Sequence, residues 1–391
     1  MGKIYTSLGL MSGTSMDGVD VSAIISDGNK GTITSLKNQY FEYDKHIYEK
    51  LTNLRDKITN SKDLKNYVEE LNLIEKEITL FHAKVVKEVT QSLPKHEIDM
   101  VGFHGQTIFH NADEKLSVQL GDAKLLSQQI KKKVVYNFRQ NDLKNSGQGA
   151  PLTPIFHQNL VRNINLNWWP VTILNIGGIS NATSVSKLYP LDLTTDKDYT
   201  LFAQDIGPGN CLIDEWIRKN SKYRFDKDGL IARSGNVNKL IFNQAVENFL
   251  NLEDLKNKSL DIKNFDISFV RGLTLEDGAA TLTHLTAKLI EEGLINFMVK
   301  NYTPRINILS KSTCLVCGGG RKNKYLIDIL RDNLNTKELI SIDEHGLHGD
   351  FIESQAFAYL AIRSYLGLPI TFPNTTGCKE SISGGEMVEN F

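Results

Sequence analysis

The sequence predicts an α/β protein that has two domains of related plan with a cleft between them. The chain has 391 residues, which is long for one hydrophobic core and sufficient for two. An apolar strand, a run of small residues and a second apolar strand occur together twice, at 8–25 and at 171–183. Strands that alternate with helices follow both pairs, and this order is typical of α/β domains.

The first half opens with predicted strands and continues with a long helical region. The strands are expected at 4–11, 19–25 and 33–41. Within the polar region 44–92, apolar residues recur at helical spacing between Val68 and Val89, which predicts one apolar helix face. Next we expect a buried strand that runs into a turn at 98–107, a strand at 133–138, and a helix from Pro151 to Val161.

The second half repeats this plan. After the strand pair at 171–183, loose strand candidates continue to Gln204. Helices are predicted at 210–219, 236–248, 279–299, 323–331 and 351–365, with a strand inside 307–320. We therefore predict a first domain over 1–145 and a second over 146–354. The prediction allows the segment from about 355 to 391 to pack back on the first domain.

Composition argues against several classes of partner. The formal net charge is -1, so no bulk charge attracts nucleic acid or an acidic membrane. No apolar run approaches the ~20 residues that a membrane-spanning helix needs. We therefore expect binding to neither nucleic acid nor membrane.

The four cysteines fit a reducing cytoplasm, because so few occur in a chain of this length. Cys314 and Cys317 form a C-x-x-C pair, a spacing that also occurs in zinc and redox sites. It is the only such pair, no histidine follows it closely, and it lies in an apolar strand. We predict two buried core thiols.

The segment SGTSMDG, at 12–18, predicts a hairpin turn that binds phosphate. Glycines let the backbone turn tightly and approach a ligand, and successive backbone N–H groups in such a turn bind anions. Thr14 and Ser15 add hydroxyl donors, and Asp17 is suited to hold Mg²⁺ or to cap the turn. An ordinary hairpin is the alternative, because Asp-Gly is a common hairpin tip.

Further small-residue turns follow apolar strands. They are NIGGISN at 175–181, DIGPGN at 205–210 and CGGGRKN at 317–323. None has the spacing of a Walker A loop or of a dinucleotide-binding G-x-G-x-x-G turn. In CGGGRKN, the backbone could pass close to a flat base or a phosphate. Glycine turns in both halves predict two domains that grip one nucleotide from opposite sides.

A phosphoryl-transfer site also needs a group that accepts a proton. Asp205 is the best candidate, because it follows the apolar segment 199–204 and precedes a glycine turn and a predicted helix. A carboxylate there can take a proton from a hydroxyl or from water. Asp205 is also suited to ligate Mg²⁺ or to cap the helix near Asn210, and spacing alone leaves these alternatives open.

Polar residues in the predicted turn GFHGQT are candidate sugar ligands. They are His104, Gln106 and Thr107, and a sugar is bound by several hydrogen-bonding side chains of this kind. The alternative for His104 is a buried structural histidine with its hydrogen bonds satisfied.

Two further charged residues are substrate candidates. Arg139, in the segment FRQND, could pair with a substrate carboxylate or with Asp142. Glu353 lies at a predicted helix start, where an exposed glutamate of the first turn is the alternative.

Together these segments resemble one family, the anhydro-N-acetylmuramic acid kinases, which belong to the actin/hexokinase/Hsp70 superfamily. The matching segments run in family order from Gly9 to about Ala361: GLMSGTSMDGVD, GFHGQT, SGQGAPLTPIFHQNL, NIGGISN, DIGPGN, CGGGRKN and GDFIESQAFAYLA. The most specific of them is MSGTSMDGVD. The resemblance implies two actin-like (ribonuclease H-like) domains with ATP in the cleft between them.

The resemblance also implies roles for single residues. The segment that matches the family's ATP-phosphate segment comprises Gly13, Thr14, Ser15, Met16, Asp17, Gly18, Val19 and Asp20. The other glycine turns add Gly177, Gly178, Gly318, Gly319, Gly320 and Asn323 as candidate nucleotide ligands. Asp205 matches the family's catalytic base.

The reaction implied by the resemblance combines hydrolysis with phosphoryl transfer. Water opens the 1,6-anhydro bridge of 1,6-anhydro-N-acetylmuramic acid, and O6 accepts the γ-phosphoryl group of ATP. The product is N-acetylmuramic acid 6-phosphate, an intermediate of peptidoglycan recycling. Mg²⁺ is expected with ATP, and the family resemblance implies a homodimer.

The chain departs from the family pattern at three places, and its C-terminal segment 376–391 matches the pattern only loosely. Ile206 stands where a threonine is usual, and Ser146 replaces a glycine. The segment 258–265 reads KSLDIKNF and lacks the arginine and glycine of the usual KSTGREYF-like segment. The alternatives are a related anhydrosugar kinase, such as a levoglucosan kinase, and an ATP-driven binding protein of the same fold.

Overall fold

A computed structural model describes residues 3–29, 31, 33–187, 199–251, 260, 262, 265–302 and 309–391. Contacts between residues divide the chain into two compact units. Unit 1 comprises Met1–Asn163 and Phe351–Phe391, and unit 2 comprises Ile164–Asp350. The chain therefore leaves unit 1 once and returns to it near its C-terminus.

The described strands form one sheet in each unit. They are β1 (Tyr5–Ser12), β2 (Gly18–Ser26), β3 (Thr34–Glu42), β4 (Met100–Asn111), β5 (Leu116–Leu120), β6 (Lys133–Tyr136), β7 (Val171–Ile176), β8 (Ile179–Lys187), β9 (Tyr199–Pro208), β10 (Thr313–Cys317), β11 (Glu338–Ser341) and β12 (Glu386–Val388). The first six and β12 belong to unit 1, and the other five belong to unit 2.

Helices cover the sheets. They are α1 (Lys45–Lys57), α2 (Asp63–Asn66), α3 (Val68–Gln91), α4 (Ala123–Ile130), α5 (Gln140–Lys144), α6 (Pro154–Arg162), α7 (Cys211–Asn220), α8 (Leu230–Ser234), α9 (Lys239–Asn251), α10 (Leu275–Asn301), α11 (Lys324–Asn333), α12 (Ile352–Tyr365) and α13 (Pro373–Thr376). In the part of the chain that the structure describes, none of the helices has the length and apolar character to cross a membrane.

The sheet of unit 1 has the strand order β12-β6-β4-β1-β2-β3, with β5 paired to β4. Strands β1, β2 and β3 pair antiparallel in sequence order. Strand β4 pairs parallel with β1, and β6 pairs parallel with β4. The carboxyl ends of β1, β4 and β6 therefore lie at the same edge of the sheet.

The sheet of unit 2 repeats this arrangement with the order β11-β10-β7-β8-β9. Strands β7, β8 and β9 pair antiparallel, and β10 and β11 continue the sheet in parallel beside β7. Both sheets thus place the first strand between an antiparallel hairpin partner and a parallel strand. The repeated order confirms the predicted α/β fold with two actin-like (ribonuclease H-like) units.

Helix α12 packs directly on the sheet of unit 1, against β1, β2 and β4. A Cβ atom on Gly9 would lie 1.9 Å from the carbonyl oxygen of Ser354, and one on Gly102 would lie 2.2 Å from that of Phe357. The helix backbone can approach the strands so closely only because both positions lack a side chain. This contact holds the C-terminal segment in unit 1.

Two predicted turns are parts of strands in the structure. The segment GFHGQT lies within β4, which continues to Asn111 because β5 pairs with its second half. Gly105 has a φ of 75°, and the register against β1 shifts there, so the glycines accommodate a bulge instead of a turn. The segment DIGPGN likewise begins within β9, which pairs with β8 as far as Pro208.

Two predicted boundaries differ from those in the structure. The helix expected from Pro151 begins at Pro154, which occupies the first helical turn of α6. Unit 1 continues to Asn163 instead of ending at 145, because α6 belongs to it. Asn159 in this helix donates hydrogen bonds to the carbonyl of Asn29 at 3.0 Å and to the hydroxyl of Tyr359 at 3.3 Å.

Candidate active site

The predicted phosphate-binding turn connects β1 and β2 of unit 1. The N–H of Met16 donates to the carbonyl of Gly13 at 3.2 Å and closes the turn. Met16 has a φ of 58°, and its side chain is only 2% exposed and belongs to the hydrophobic core. This side chain anchors the turn, so a ligand can contact Met16 only through its backbone.

Polar side chains lie at the tip of this turn. Thr14 and Ser15 are exposed, and Asp17 is half-buried. The hydroxyl of Ser15 donates to a carboxylate oxygen of Asp17 at 2.6 Å. Hydroxyl groups can donate hydrogen bonds to an anion such as phosphate. A neighbouring carboxylate can bind the cation that accompanies it.

Tyr43 holds both ends of the turn. Its N–H donates to the carbonyl of Asp17 at 2.8 Å, and its hydroxyl lies 3.0 Å from that of Ser12. Ser12 lies 3.3 Å from Nε2 of His82, and Nδ1 of His82 lies 2.6 Å from the carbonyl of Ile78. Because a carbonyl only accepts, His82 carries its proton on Nδ1, and the hydrogen bonds run from Tyr43 through Ser12 to His82.

The groups behind the turn are neutral. Burial lowers the pKa of His82 to about 4, and burial raises the pKa of Tyr43 above its ordinary value. Neither side chain is charged near neutral pH, so this network positions the turn without adding charge to it.

Gln106 makes a second connection to the turn. It lies opposite Ser12 in the pairing of β4 with β1, and its side chain is fully buried. Its Nε2 donates to the carbonyl of Gly13 at 3.0 Å. Among the described residues, no group forms a hydrogen bond with its Oε1.

His104 and Arg139 form a pair within unit 1. Nδ1 of His104 lies 2.8 Å from the carbonyl of Gly105, and Nε2 accepts hydrogen bonds from Nε and Nη2 of Arg139 at 3.2 and 2.9 Å. Arg139 also donates to the carbonyl of Gly149 at 2.8 Å. Burial, followed by the charge of Arg139, holds the pKa of His104 well below its ordinary value. Both nitrogens of this neutral ring therefore already have protein partners.

The other predicted sugar ligands of unit 1 lie on β4 and α12. Thr107 accepts a hydrogen bond from Nε2 of Gln119 at 3.3 Å, and Glu353 is half-buried in the first turn of α12. A cavity of about 220 Å³ lies beside His104, lined by residues of β4, β5 and the end of β6.

In unit 2 the predicted glycine turns lie together. We define the glycine cluster as Gly177, Gly178, Gly209, Gly318, Gly319 and Gly320. The N–H of Gly209 donates to the carbonyl of Gly178 at 2.9 Å, and the N–H of Asn210 donates to that of Gly177 at 2.7 Å. A Cβ on Gly209 would lie 2.2 Å from the carbonyl oxygen of Gly177, so this contact requires glycine.

The three consecutive glycines after β10 differ in what surrounds them. A Cβ on Gly318 would lie 2.3 Å from Oδ1 of Asn175, and one on Gly320 would lie 2.3 Å from Cγ2 of Ile176. A Cβ on Gly319 would meet nothing nearer than Nδ2 of Asn210, at 3.9 Å. Packing explains the glycine at 318 and 320 but not at 319.

Asp205 lies on β9, which leads into the glycine cluster. It is half-buried and pairs with Asn181 of β8. Its Oδ2 accepts a hydrogen bond from the N–H of Leu260 at 2.9 Å. The residue at the N-cap of α7 is Asn210, so the position of Asp205 on the strand is not that of a helix cap.

Arg321 connects the glycine cluster to residues 343–350, at the end of unit 2. Its side chain is 7% exposed. It donates to Asp343 at 2.6 Å, to Asp350 at 2.7 Å and to the carbonyl of Gly318 at 3.0 Å. Burial opposes ionisation of Asp343, but the hydrogen bonds from Arg321, Gly349 and Ser341 together with the charge of Arg321 outweigh it and lower the pKa of Asp343 to about 2. With two carboxylates as partners, Arg321 is a support for the cluster.

Asn323 follows the three glycines and is the N-cap residue of α11. Oδ1 of Asn323 accepts a hydrogen bond from the N–H of Leu326 at 3.0 Å and caps α11. A nucleotide could therefore use only its amide nitrogen. The altered segment 258–265 lies outside the described residues except for positions 260, 262 and 265.

Sequence reasoning missed Tyr43, His82 and Arg321. Tyr43 and His82 lie far along the chain from the turn they support, and no local motif contains them. Arg321 lies inside CGGGRKN. An arginine directly after a glycine turn was the one feature of the sequence that could have indicated its supporting role.

The fold and these sites define a class of protein. Two actin-like units, a phosphate-type turn and a carboxylate on the strand that enters a glycine cluster are the features of an actin-like phosphotransferase. The family model described as "Anhydro-N-acetylmuramic acid kinase" matches residues 5–389. The chain belongs to the anhydro-N-acetylmuramic acid kinase family.

Relatives cover the whole chain. A protein of Pelagibacter ubique (strain HTCC1062), named anhydro-N-acetylmuramic acid kinase, is 50% identical and is aligned over 100% of both chains. A protein of Brucella canis with the same name is 38% identical over 99% of this chain and 100% of its own. A solved ROK family glucokinase from Streptomyces griseus covers 91% of this chain and 98% of its own at 12% identity, with a TM-score of 0.39. The fold assignment rests on the strand order.

The substitutions Gly319→Ala and Gly320→Ala test whether the glycine cluster faces a ligand. We expect Gly319→Ala to leave the melting temperature unchanged, because the new methyl group meets only Nδ2 of Asn210 at an ordinary contact distance of 3.9 Å. The same methyl group should weaken ATP binding about tenfold, because it would hold the nucleotide away from the backbone. Gly320→Ala should lower the free energy of unfolding by about 1–3 kcal/mol through overlap with Ile176. Calorimetric titration and thermal melting measure both effects. Wild-type ATP affinity in Gly319→Ala would contradict this assignment.

The substitution Tyr43→Phe tests the support of the phosphate-type turn. It removes one hydroxyl and keeps the ring, which packs edge-on against Phe81. We expect a loss of about 1–2 kcal/mol in the free energy of unfolding and an ATP affinity several-fold lower, because Ser12 loses its donor. Tyr67→Phe is the matched control, since the ring of Tyr67 rather than its hydroxyl contacts Lys57. Equal ATP affinity in both variants would show that Tyr43 does not position the turn.

Proposed function

We propose that the protein is an ATP-dependent kinase that opens the 1,6-anhydro ring of 1,6-anhydro-N-acetylmuramic acid and phosphorylates O6. The product is N-acetylmuramic acid 6-phosphate, which links the protein to peptidoglycan recycling. Family membership over residues 5–389 supports this activity. The observation that carries the proposal is the position of Asp205, a carboxylate on the strand that runs into the glycine cluster.

Asp205 acts as the general base in this proposal. It takes a proton from a water molecule, whose oxygen forms a bond to C1 of the sugar. The bond between C1 and O6 breaks, and its electron pair stays on O6. O6 then forms a bond to the γ-phosphorus of ATP, the bond from that phosphorus to the β–γ bridging oxygen breaks, and ADP leaves. The hydrogen bond from the N–H of Leu260 to Oδ2 orients the carboxylate of Asp205.

Residues 13–20 bind the phosphates of ATP, and the glycine cluster binds the nucleotide through its backbone. Support for the first part comes from the hydroxyls of Thr14 and Ser15 at the tip of a turn that is held from behind by Tyr43 and Gln106. Support for the second comes from Gly319, where the fold leaves room for close approach. Rigid turns suit this task, because phosphoryl transfer depends on alignment of the reacting atoms.

Mg²⁺ fits the donor set at the phosphate turn. Asp17 is the carboxylate there, and one of its oxygens already accepts from Ser15. Mg²⁺ is commonly held by one or two carboxylates together with substrate phosphates, so Asp17 and ATP would hold it. When bound, the ion neutralises charge on the phosphates.

The sugar is recognised by polar groups along β4 and α12. Gln106, Thr107 and Glu353 are proposed to contact it. His104 has both ring nitrogens occupied, so its proposed task is to orient Arg139. Arg139 in turn is proposed to pair with the carboxylate of the lactyl group.

The cellular setting is proposed from the cysteines and the family resemblance. None of the four cysteines, all of them among the described residues, forms a disulfide, and three of them are buried. This is consistent with a reducing cytoplasm. A homodimer is proposed from the family resemblance, and sedimentation analysis measures it.

Replacement of Asp205 tests the function. We expect Asp205→Asn to lower kcat by about 100-fold to 10,000-fold, because the amide cannot take the proton from water. ATP affinity should stay within a few-fold of wild type. The measurement follows ADP release with 1,6-anhydro-N-acetylmuramic acid as acceptor. Asp328→Asn is the matched control, since Asp328 forms surface ion pairs on α11.

Different outcomes of this assay separate the possible functions. Unchanged turnover in Asp205→Asn would remove Asp205 as the base. Turnover of levoglucosan alone by the wild-type protein would favour the related anhydrosugar kinase. ATP hydrolysis that no anhydrosugar affects would favour a binding protein of the same fold.

A further inference from the structure

Gln106 offers a hydrogen-bond acceptor that no described protein group uses. The side chain is fully buried, and Nε2 donates to the carbonyl of Gly13 at 3.0 Å and lies 3.4 Å from that of Thr107. Because both carbonyls can only accept, the nitrogen of the carboxamide must face them. Oε1 then points to the other side, where within the described residues it has no partner.

An unpaired amide oxygen in a buried position is uncommon. Most buried polar atoms have a partner, and one left unpaired loses the hydrogen bonds it had with water. A hydrogen-bond donor that does not belong to the described residues is the partner that remains for Oε1 of Gln106. Gln106 also lies opposite Ser12, at the start of the phosphate turn, so that donor would sit close to the transferred phosphoryl group.

The proposed substrate has few groups that can supply this donor. In 1,6-anhydro-N-acetylmuramic acid a single oxygen, O6, bridges C1 and C6, and the lactyl ether occupies the oxygen of C3. The lactyl carboxylate is ionised near neutral pH and only accepts. The hydroxyl of C4 and the N–H of the acetamido group are the donors that remain.

We propose that Oε1 of Gln106 accepts a hydrogen bond from the anhydrosugar, while Nε2 of the same carboxamide holds the carbonyl of Gly13. This inference rests on the proposed function and assigns a specificity-determining contact within it. One side chain then connects the acceptor sugar to the turn that binds the phosphates. Glutamine meets this need because a single planar group presents a donor on one side and an acceptor on the other.

Calorimetric titration of sugar analogues tests the contact without ATP or Mg²⁺. The ligands are the parent anhydrosugar, its 4-deoxy analogue and the analogue in which an ester oxygen replaces the acetamido N–H. The proteins are wild type, Gln106→Met and Gln39→Met, a control on β3 where Gln39 bonds to exposed Glu88. We expect wild type and Gln39→Met to bind one of the two analogues about tenfold more weakly than the parent sugar. Gln106→Met should bind that analogue and the parent sugar with affinities that differ by no more than about twofold.

The analogue that loses affinity identifies the donor. The variant Gln106→Glu adds a rescue test, because its side chain keeps an acceptor on the sugar side. It should restore the discrimination between parent and analogue that Gln106→Met has lost. Thermal melting of every variant checks folding, and Gln106→Glu tests the contact if Gln106→Met does not fold.

The outcomes distinguish this inference from the proposed function. If the wild-type protein neither binds nor phosphorylates the parent sugar, the proposed function fails. If the parent is bound and phosphorylated but both analogues lose the same affinity in wild type and in Gln106→Met, the contact is overturned and the function stands. Loss of ATP affinity alone in Gln106→Met would also overturn it, since Gln106 would then serve only the phosphate turn.

Discussion

Close contact between backbone segments at positions without a Cβ is the constraint on which the candidate site depends. In unit 2, Gly209 lies against the carbonyl of Gly177, and Gly318 and Gly320 lie against the end of β7. In unit 1, Gly9 lets the backbone of α12 rest on β1. Any side chain at these positions would separate the strand ends, and the groups that the strands carry would then no longer lie together.

Polar contacts from distant parts of the chain complete the site. Tyr43 reaches the turn from the end of β3, and Gln106 reaches it from β4. Arg321 makes the corresponding connection in unit 2 through Asp343 and Asp350. Tyr43, Gln106 and Arg321 are themselves buried or half-buried, so each one restricts the turn it supports. Small turns that would otherwise be mobile can in this way present backbone N–H groups and hydroxyls in a fixed arrangement.

Local sequence was sufficient to predict elements whose signals are local. The hairpin around Gly13 could be predicted because small residues separate two apolar runs. The role of Asp205 stays a prediction. GFHGQT was wrongly predicted as a turn, since Gly105 lies at a bulge within β4 and Gly102 lies against α12. The partners of Tyr43 and Arg321 could not be predicted, because they depend on tertiary contacts between distant segments.

We propose that the hydroxyl-bearing turn and the glycine cluster both bind the nucleotide. Amide hydrogen exchange with and without a non-hydrolysable ATP analogue tests it most directly. We predict that exchange slows at residues 13–17 and at 318–320 with the same dependence on analogue concentration. Protection at only one of these segments, or at neither of them, would contradict the proposal that both segments bind the nucleotide.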